Sequence, residues 1–231
     1  LYKGWNSTEE ANTAIRTLTT NNNGEFRYDT ITLFGKVLGL PSGNYTLSAS
    51  KDGYSDTSYN IVIYPGTTDE NPIINETMSP SMSEGYYRIV LTWGSMPEDL
   101  DSHLVANTDT GSGIHVYYHD DNPYPHYANL DRDDTDSYGP ETITITNFEG
   151  LSNIRYAIHD YTNRDESSST AMSYSDATVR LFKGNQLLRT FQVPTGYDGT
   201  EWDVFSLDSN GRISTINSMT YTDEPASVLG G

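Results

Sequence analysis

Cysteine is absent from the 231-residue chain, which excludes disulfides and thiolate metal sites. Stability must therefore come from core packing, from bound ions or from neighbouring molecules. Basic residues are scarce, 13 Lys and Arg against 32 Asp and Glu, for a formal charge of −19. A surface this acidic repels phosphates and anionic bilayers, which argues against a nucleic-acid partner and against binding at lipid surfaces. No apolar run approaches the ~20 residues that span a bilayer as a helix, so no membrane insertion is expected. Long amphipathic helical periodicity is missing too.

What remains is the material of strands and turns: 18 Tyr, 19 Gly and 10 Pro, with abundant Thr, Ser and Asn. Short alternating stretches such as Asn44–Ser50 and Tyr59–Tyr64 are separated by turn signals, Asn21-Asn22-Asn23-Gly24 and Lys51-Asp52-Gly53 among them. In Tyr86–Trp93 the alternation puts Tyr87, Ile89, Leu91 and Trp93 on one face. Further strands are read at Thr142–Ile145, Ile154–Tyr161, Ala177–Phe182, Leu187–Val193 and Glu201–Leu207, with a hairpin turn at Lys183–Gln186. The expected fold is all-β, two antiparallel β-sandwich domains in tandem. Residues 1–80 form the first, 86–217 the second, and 218–231 a C-terminal tail.

Unusual charge concentrates between Trp93 and Glu141, where four of the five histidines also lie, His103, His115, His119 and His126. Asp99, Asp101 and His103 alternate by two, so an extended chain puts them on one face, and Asp131 and Asp133 alternate likewise, followed by Asp134 and Glu141. Carboxylates so crowded repel unless a cation lies between them, and calcium, with six to eight oxygen ligands, suits flexible acidic loops. Asp99, Asp101, Asp131, Asp133, Asp134 and Glu141 are the candidate ligands. The spacing is not that of an EF-hand. Beside this reading stands one in which the carboxylates cap turns and pair with Arg88, Arg132 or Arg155.

Histidine offers a second chemistry, with His103 beside Asp101 and His115, His119 and His126 near in sequence, though none has a recognised zinc spacing. His159-Asp160 reads as a locally hydrogen-bonded pair within a strand. No Gly-x-Ser-x-Gly elbow is present, and the chain is not expected to be an enzyme. Tyr117, Tyr118 and Tyr138, with His103, are candidate ligand-binding residues, since Tyr combines an apolar face with a polar tip suited to sugars. Asn6, Asn44 and Asn75 each open an Asn-x-Ser/Thr triplet and are candidate glycan acceptors.

The order Thr-Thr-Asn-Asn-Asn-Gly-Glu-Phe, Leu-Pro-Ser-Gly-Asn-Tyr-Thr-Leu and Lys-Asp-Gly-Tyr over residues 17–64 resembles the carboxypeptidase regulatory-like domain, a transthyretin-like sandwich. That family opens with a Gly-x-Val-x-Asp strand which this sequence lacks, and Leu1–Trp5 reads as the interior of something longer. A missing strand leaves an apolar slot and unpaired backbone, filled by more of the same protein or by another copy through strand complementation, with Tyr221–Gly231 as a donor. Leu91-Thr92-Trp93, Asp99–Leu104, Val116-Tyr117-Tyr118, Tyr138–Glu141 and Trp202–Phe205 resemble the YfaP-like bacterial and archaeal surface domain. This second resemblance implies an extracellular, cell-surface protein. The expected function is that of a non-catalytic structural or adhesive module, or a filament subunit, stabilised by calcium and partnered by its own copies. The alternative is a carbohydrate-binding module.

Overall fold

The computed structural model describes residues 1–5, 13–22, 24–26, 31–33, 36–38, 40–64, 77–119 and 124–223, the segments 31–33 and 36–38 through their backbone alone. The chain is all-β and divides into two compact units, Leu1–Pro80 and Ser81–Gly231. Among the described residues every strand pairing is antiparallel. Among the described residues no helix is long and apolar enough to cross a membrane.

In the first unit, β1 (Tyr2–Lys3), β4 (Gly43–Ala49) and β5 (Thr57–Ile63) form one sheet in the order β1-β4-β5. A hairpin of β2 (Ile31–Leu33) and β3 (Lys36–Leu38) forms the second. Tyr45 and Tyr59 are buried, and each phenol donates to a carbonyl, Tyr45 to Pro41 at 2.6 Å and Tyr59 to Thr77. Burying a tyrosine is tolerated because its hydroxyl finds such a partner.

The second unit is a sandwich of two five-stranded sheets. One runs β13-β12-β6-β10-β9, built from β6 (Tyr87–Thr92), β9 (Ala128–Arg132), β10 (Glu141–Ile145), β12 (Thr178–Lys183) and β13 (Gln186–Gln192). The other runs β15-β14-β11-β7-β8, built from β7 (Leu100–Thr108), β8 (Gly113–Val116), β11 (Leu151–Asp160), β14 (Glu201–Leu207) and β15 (Ile213–Thr220). β15 carries the sheet past residue 217, into the segment read from sequence as a tail, and Thr222 beyond it is buried.

Tyr87, Ile89, Leu91 and Trp93 all enter the core, as the alternation of β6 dictates. From the facing sheet come Leu104, Tyr156, Ile158, Trp202 and Phe205, each fully buried and each contributing about 1.5–3 kcal/mol of apolar burial. Tyr156, Phe205 and Phe191 stack in sequence, with ring centroids 5.5 and 5.0 Å apart, and join the two sheets. With the even-numbered residues of β7 and β11 turned inward, Asp101, His103, Ala157 and His159 are left on the opposite face of their sheet.

Candidate metal centre

Two loops are stapled together beside the start of β7. Trp93 N–H donates to the Tyr138 carbonyl at 3.2 Å, Tyr138 N–H to Gly94 at 3.1 Å, and Ser137 N–H to Glu98 at 2.8 Å. Ser137, Tyr138 and Gly139 take φ of 72°, 67° and 73°, three successive left-handed residues. At Gly139 an added Cβ would lie 2.8 Å from Trp93 Cζ3 and 3.0 Å from the Leu91 carbonyl, so only glycine lets the chain pass. Two residues later Glu141 opens β10, held opposite Leu91 by sheet register.

This path brings three carboxylates together. Asp101, Asp133 and Glu141 each place an oxygen within 4.8 Å of the others. Asp101 and Glu141 are 2% and 0% exposed, whereas Asp133 is open to solvent. Ser102 N–H donates to Glu141 Oε2 at 2.6 Å. Glu141 Oε1, Asp101 Oδ2 and Asp99 Oδ1 are buried without a hydrogen-bond partner.

Burial, then the charges of Asp99 and Asp133, push the Asp101 carboxyl up to about 8. Asp99 is raised to about 6 by burial and next by Asp133, and Glu141 is raised well above the carboxylate range by burial and then Asp101. Oxygen atoms so arranged disfavour a proton-free, cation-free state. Asp131 and Asp134 are engaged elsewhere. Asp131 accepts from Thr144 Oγ1 and Asn129 Nδ2 and lies 4.0 Å from Arg88, and Asp134 pairs with Arg132 at 2.6 Å. Arg155 pairs with Asp203 at 3.1 Å.

On the outer face of the β7 sheet, Asp101 is in direct register with His159, and His159 with Glu201. His103 lies two residues along from Asp101, so Asp101, His103 and His159 converge, one ligand atom from each within 4.8 Å of the others. His103 Nδ1 lies 2.9 Å from His115 Nε2, and His159 Nε2 lies 3.2 Å from the Thr222 carbonyl. Burial, with His115 and His159 alongside, holds His103 well below the usual imidazole range, and burial lowers His115 to about 4.

Tyr117 stacks on His115 at 4.0 Å and 5°, and Tyr118 stands edge-on to Tyr117 at 79° and to Tyr161 at 70°. These rings shield imidazoles and do not form a coplanar platform. Tyr138 sits in the left-handed loop, 48% exposed.

No protein-family model matches the chain, and no curated protein matches it. Two solved structures are similar over most of their length. One is a homologue of the telluride resistance protein TerD from Streptomyces coelicolor, 16% identical, with a TM-score of 0.47, covering 64% of this chain and 96% of that one. The other, a protein of unknown function, is 17% identical with a TM-score of 0.46, covering 62% and 94%. The expectation of an extracellular structural or adhesive module, with a carbohydrate-binding module as its alternative, is corrected here. The matched proteins are a homologue of a telluride resistance protein and a protein of unknown function. Within the molecule, the start of the proposed donor strand is already engaged, since Thr222 N–H donates to Thr200 Oγ1 at 3.0 Å.

Sequence reasoning missed two groups. His159 reads as a local hydrogen-bonding residue until strand register sets it opposite Asp101. Glu201, fully buried with both carboxylate oxygens unpartnered and raised to about 7 by burial and then by Asp203, sits in an apolar-looking strand. Asn44 is exposed on β4, while Asn6 and Asn75 lie outside the described residues. A surface hollow at the Ser50–Asp56 turn belongs to the other unit.

Proposed function

We propose that the second unit is a calcium-binding domain, with Asp101, Asp133 and Glu141 as its carboxylate ligands and Asp99 beside them. One observation carries this reading: Asp101 and Glu141 are both buried, each with an oxygen that has no partner, and both face the solvent-exposed Asp133. Leaving such atoms unpaired costs about 1–3 kcal/mol each, more when charged. A hard divalent cation reached through Asp133 offsets that cost and removes the mutual repulsion. Ligands that are all oxygen, at the starts of β7 and β10 and just past the end of β9, favour calcium over softer ions. The role is binding, with no catalytic step assigned.

The test is titration of the chelator-stripped chain with calcium in a calorimeter, alongside a thermal melt. One site is expected. Calcium at about 100 times its Kd should add about 2.7 kcal/mol, a rise of roughly 5–11 °C for a domain of this size. Glu141→Gln keeps the acceptor for Ser102 N–H while removing the charge, and Asp133→Asn alters an exposed group. Each should weaken calcium at least ~10-fold. Absence of binding heat together with an unchanged melt would sink the proposal.

A further inference from the structure

Buried histidines on the outer face of a sheet need an explanation that the carboxylate triad does not supply. We propose that Asp101, His103 and His159 form a second site, sharing Asp101 with the carboxylate triad, for a transition-metal ion of the zinc class. The three residues are 2%, 1% and 2% exposed, yet Asp101 Oδ2, His103 Nε2 and His159 Nδ1 have no hydrogen-bond partner. These polar atoms lie on one sheet face by pleat and register: Asp101 directly opposes His159, and His103 opposes Ala157, whose small side chain leaves room between the imidazoles.

The far side of each imidazole is already held. The Thr222 carbonyl can only accept, so the 3.2 Å contact puts the proton of His159 on Nε2 and leaves Nδ1 unprotonated and without a hydrogen-bond partner. With its proton on Nδ1, His103 donates to His115 Nε2 at 2.9 Å and presents Nε2 in the same way. Metal-binding histidines are commonly oriented by such an outer partner, which sets tautomer and ring angle. Two imidazole nitrogens and one carboxylate make a set that suits zinc at about 2.0–2.2 Å per ligand and suits calcium poorly. A fourth position is left for water or another group, beneath a roof made by Tyr117 and Tyr118, whose rings lie 5.4 and 6.5 Å from that of His103. Asp101 is shared with the carboxylate triad, whereas His103 and His159 belong to this site alone, so zinc binding is tested on the calcium-free chain.

The full chain, stripped with chelator, would be titrated with cobalt(II) as an optical stand-in and with zinc in competition against a chromophoric chelator. One equivalent should bind with the intense visible bands of a four- or five-coordinate ion, and zinc should displace it. His103→Ala and His159→Ala should each weaken zinc at least ~10-fold, while Asp133→Asn and Glu141→Gln, which probe calcium, should leave it bound. His119→Ala with His126→Ala, at exposed positions, should change nothing. Histidine nitrogen NMR on the unaltered chain provides a check that needs no variant: zinc should move His103 Nε2 and His159 Nδ1 and leave His119 and His126 in place. Pale six-coordinate cobalt, zinc held equally by the His103 and His159 variants, or shifts confined to His119 and His126 would each overturn the proposal.

Discussion

Ser102 lies between Asp101 and His103 on β7 but faces the other way, its hydroxyl 2.7 Å from the Tyr156 phenol in the core and its amide on Glu141. That one residue separates the packed interior from the titrating face. Asp99, Asp101 and Glu201 are all raised, to about 6, 8 and 7 from values of 3.8, 3.8 and 4.5. Groups raised on folding contribute stability below their unfolded values and lose it as pH rises through the folded ones. His103 and His115 run the opposite way: they contribute above about 6.5 and lose that contribution as pH falls, for His115 through about 4. Between about pH 6.5 and 8 Asp101 and Glu201 are still losing their contribution, so in chelator the urea midpoint of the second unit should fall across that window. Saturating calcium should flatten the slope, because it supports the ionised form. A midpoint that climbs from pH 6.5 to 8 in chelator would contradict this electrostatic account.

At the level of elements, the left-handed run Ser137–Gly139 is what delivers Glu141 to the triad. Gly139→Ala would force a Cβ to within 2.8 Å of the Trp93 ring at a φ of +73°. The left-handed conformation alone costs a side-chain-bearing residue about 1–2 kcal/mol. The variant should therefore unfold earlier in urea and bind calcium more weakly, whereas Gly111→Ala, which meets no neighbour but shares a positive φ, should lose stability alone. Most central strands were legible because they alternate strongly; β6, β10, β12 and β14 fall where apolar residues recur. β9 and β15 escaped notice, and both are edge strands. An edge has neighbours on one side only and needs little apolar pattern, which is why Ile213–Thr220 is largely polar and exposed. The site was legible to the same extent: alternation in β7 joins Asp101 to His103, while His159 needed register between distant strands. Asp131, Asp133 and Asp134 look alike in sequence, and they part only because β9 ends at Arg132, which leaves Asp133 to turn toward Glu141.

At the scale of the molecule, cations should act on one unit alone. Each unit has its own sheets, and both candidate clusters lie in Ser81–Gly231. Scanning calorimetry of the full chain should resolve a transition that moves upward with calcium and another that does not; a single transition moving as one would show that the units unfold together. The tight passage at Gly139 also has an optical consequence. Trp93 is 5% exposed, its indole N–H donates to the Pro97 carbonyl at 3.0 Å, and its ring edge faces the loop that leads to Glu141. Trp202 is fully buried, and Trp5, at 55% exposure, belongs to the other unit. A shift of the 133–141 loop on cation capture would thus be written into the emission of Trp93, so that the protein carries its own fluorescent gauge, readable without a label.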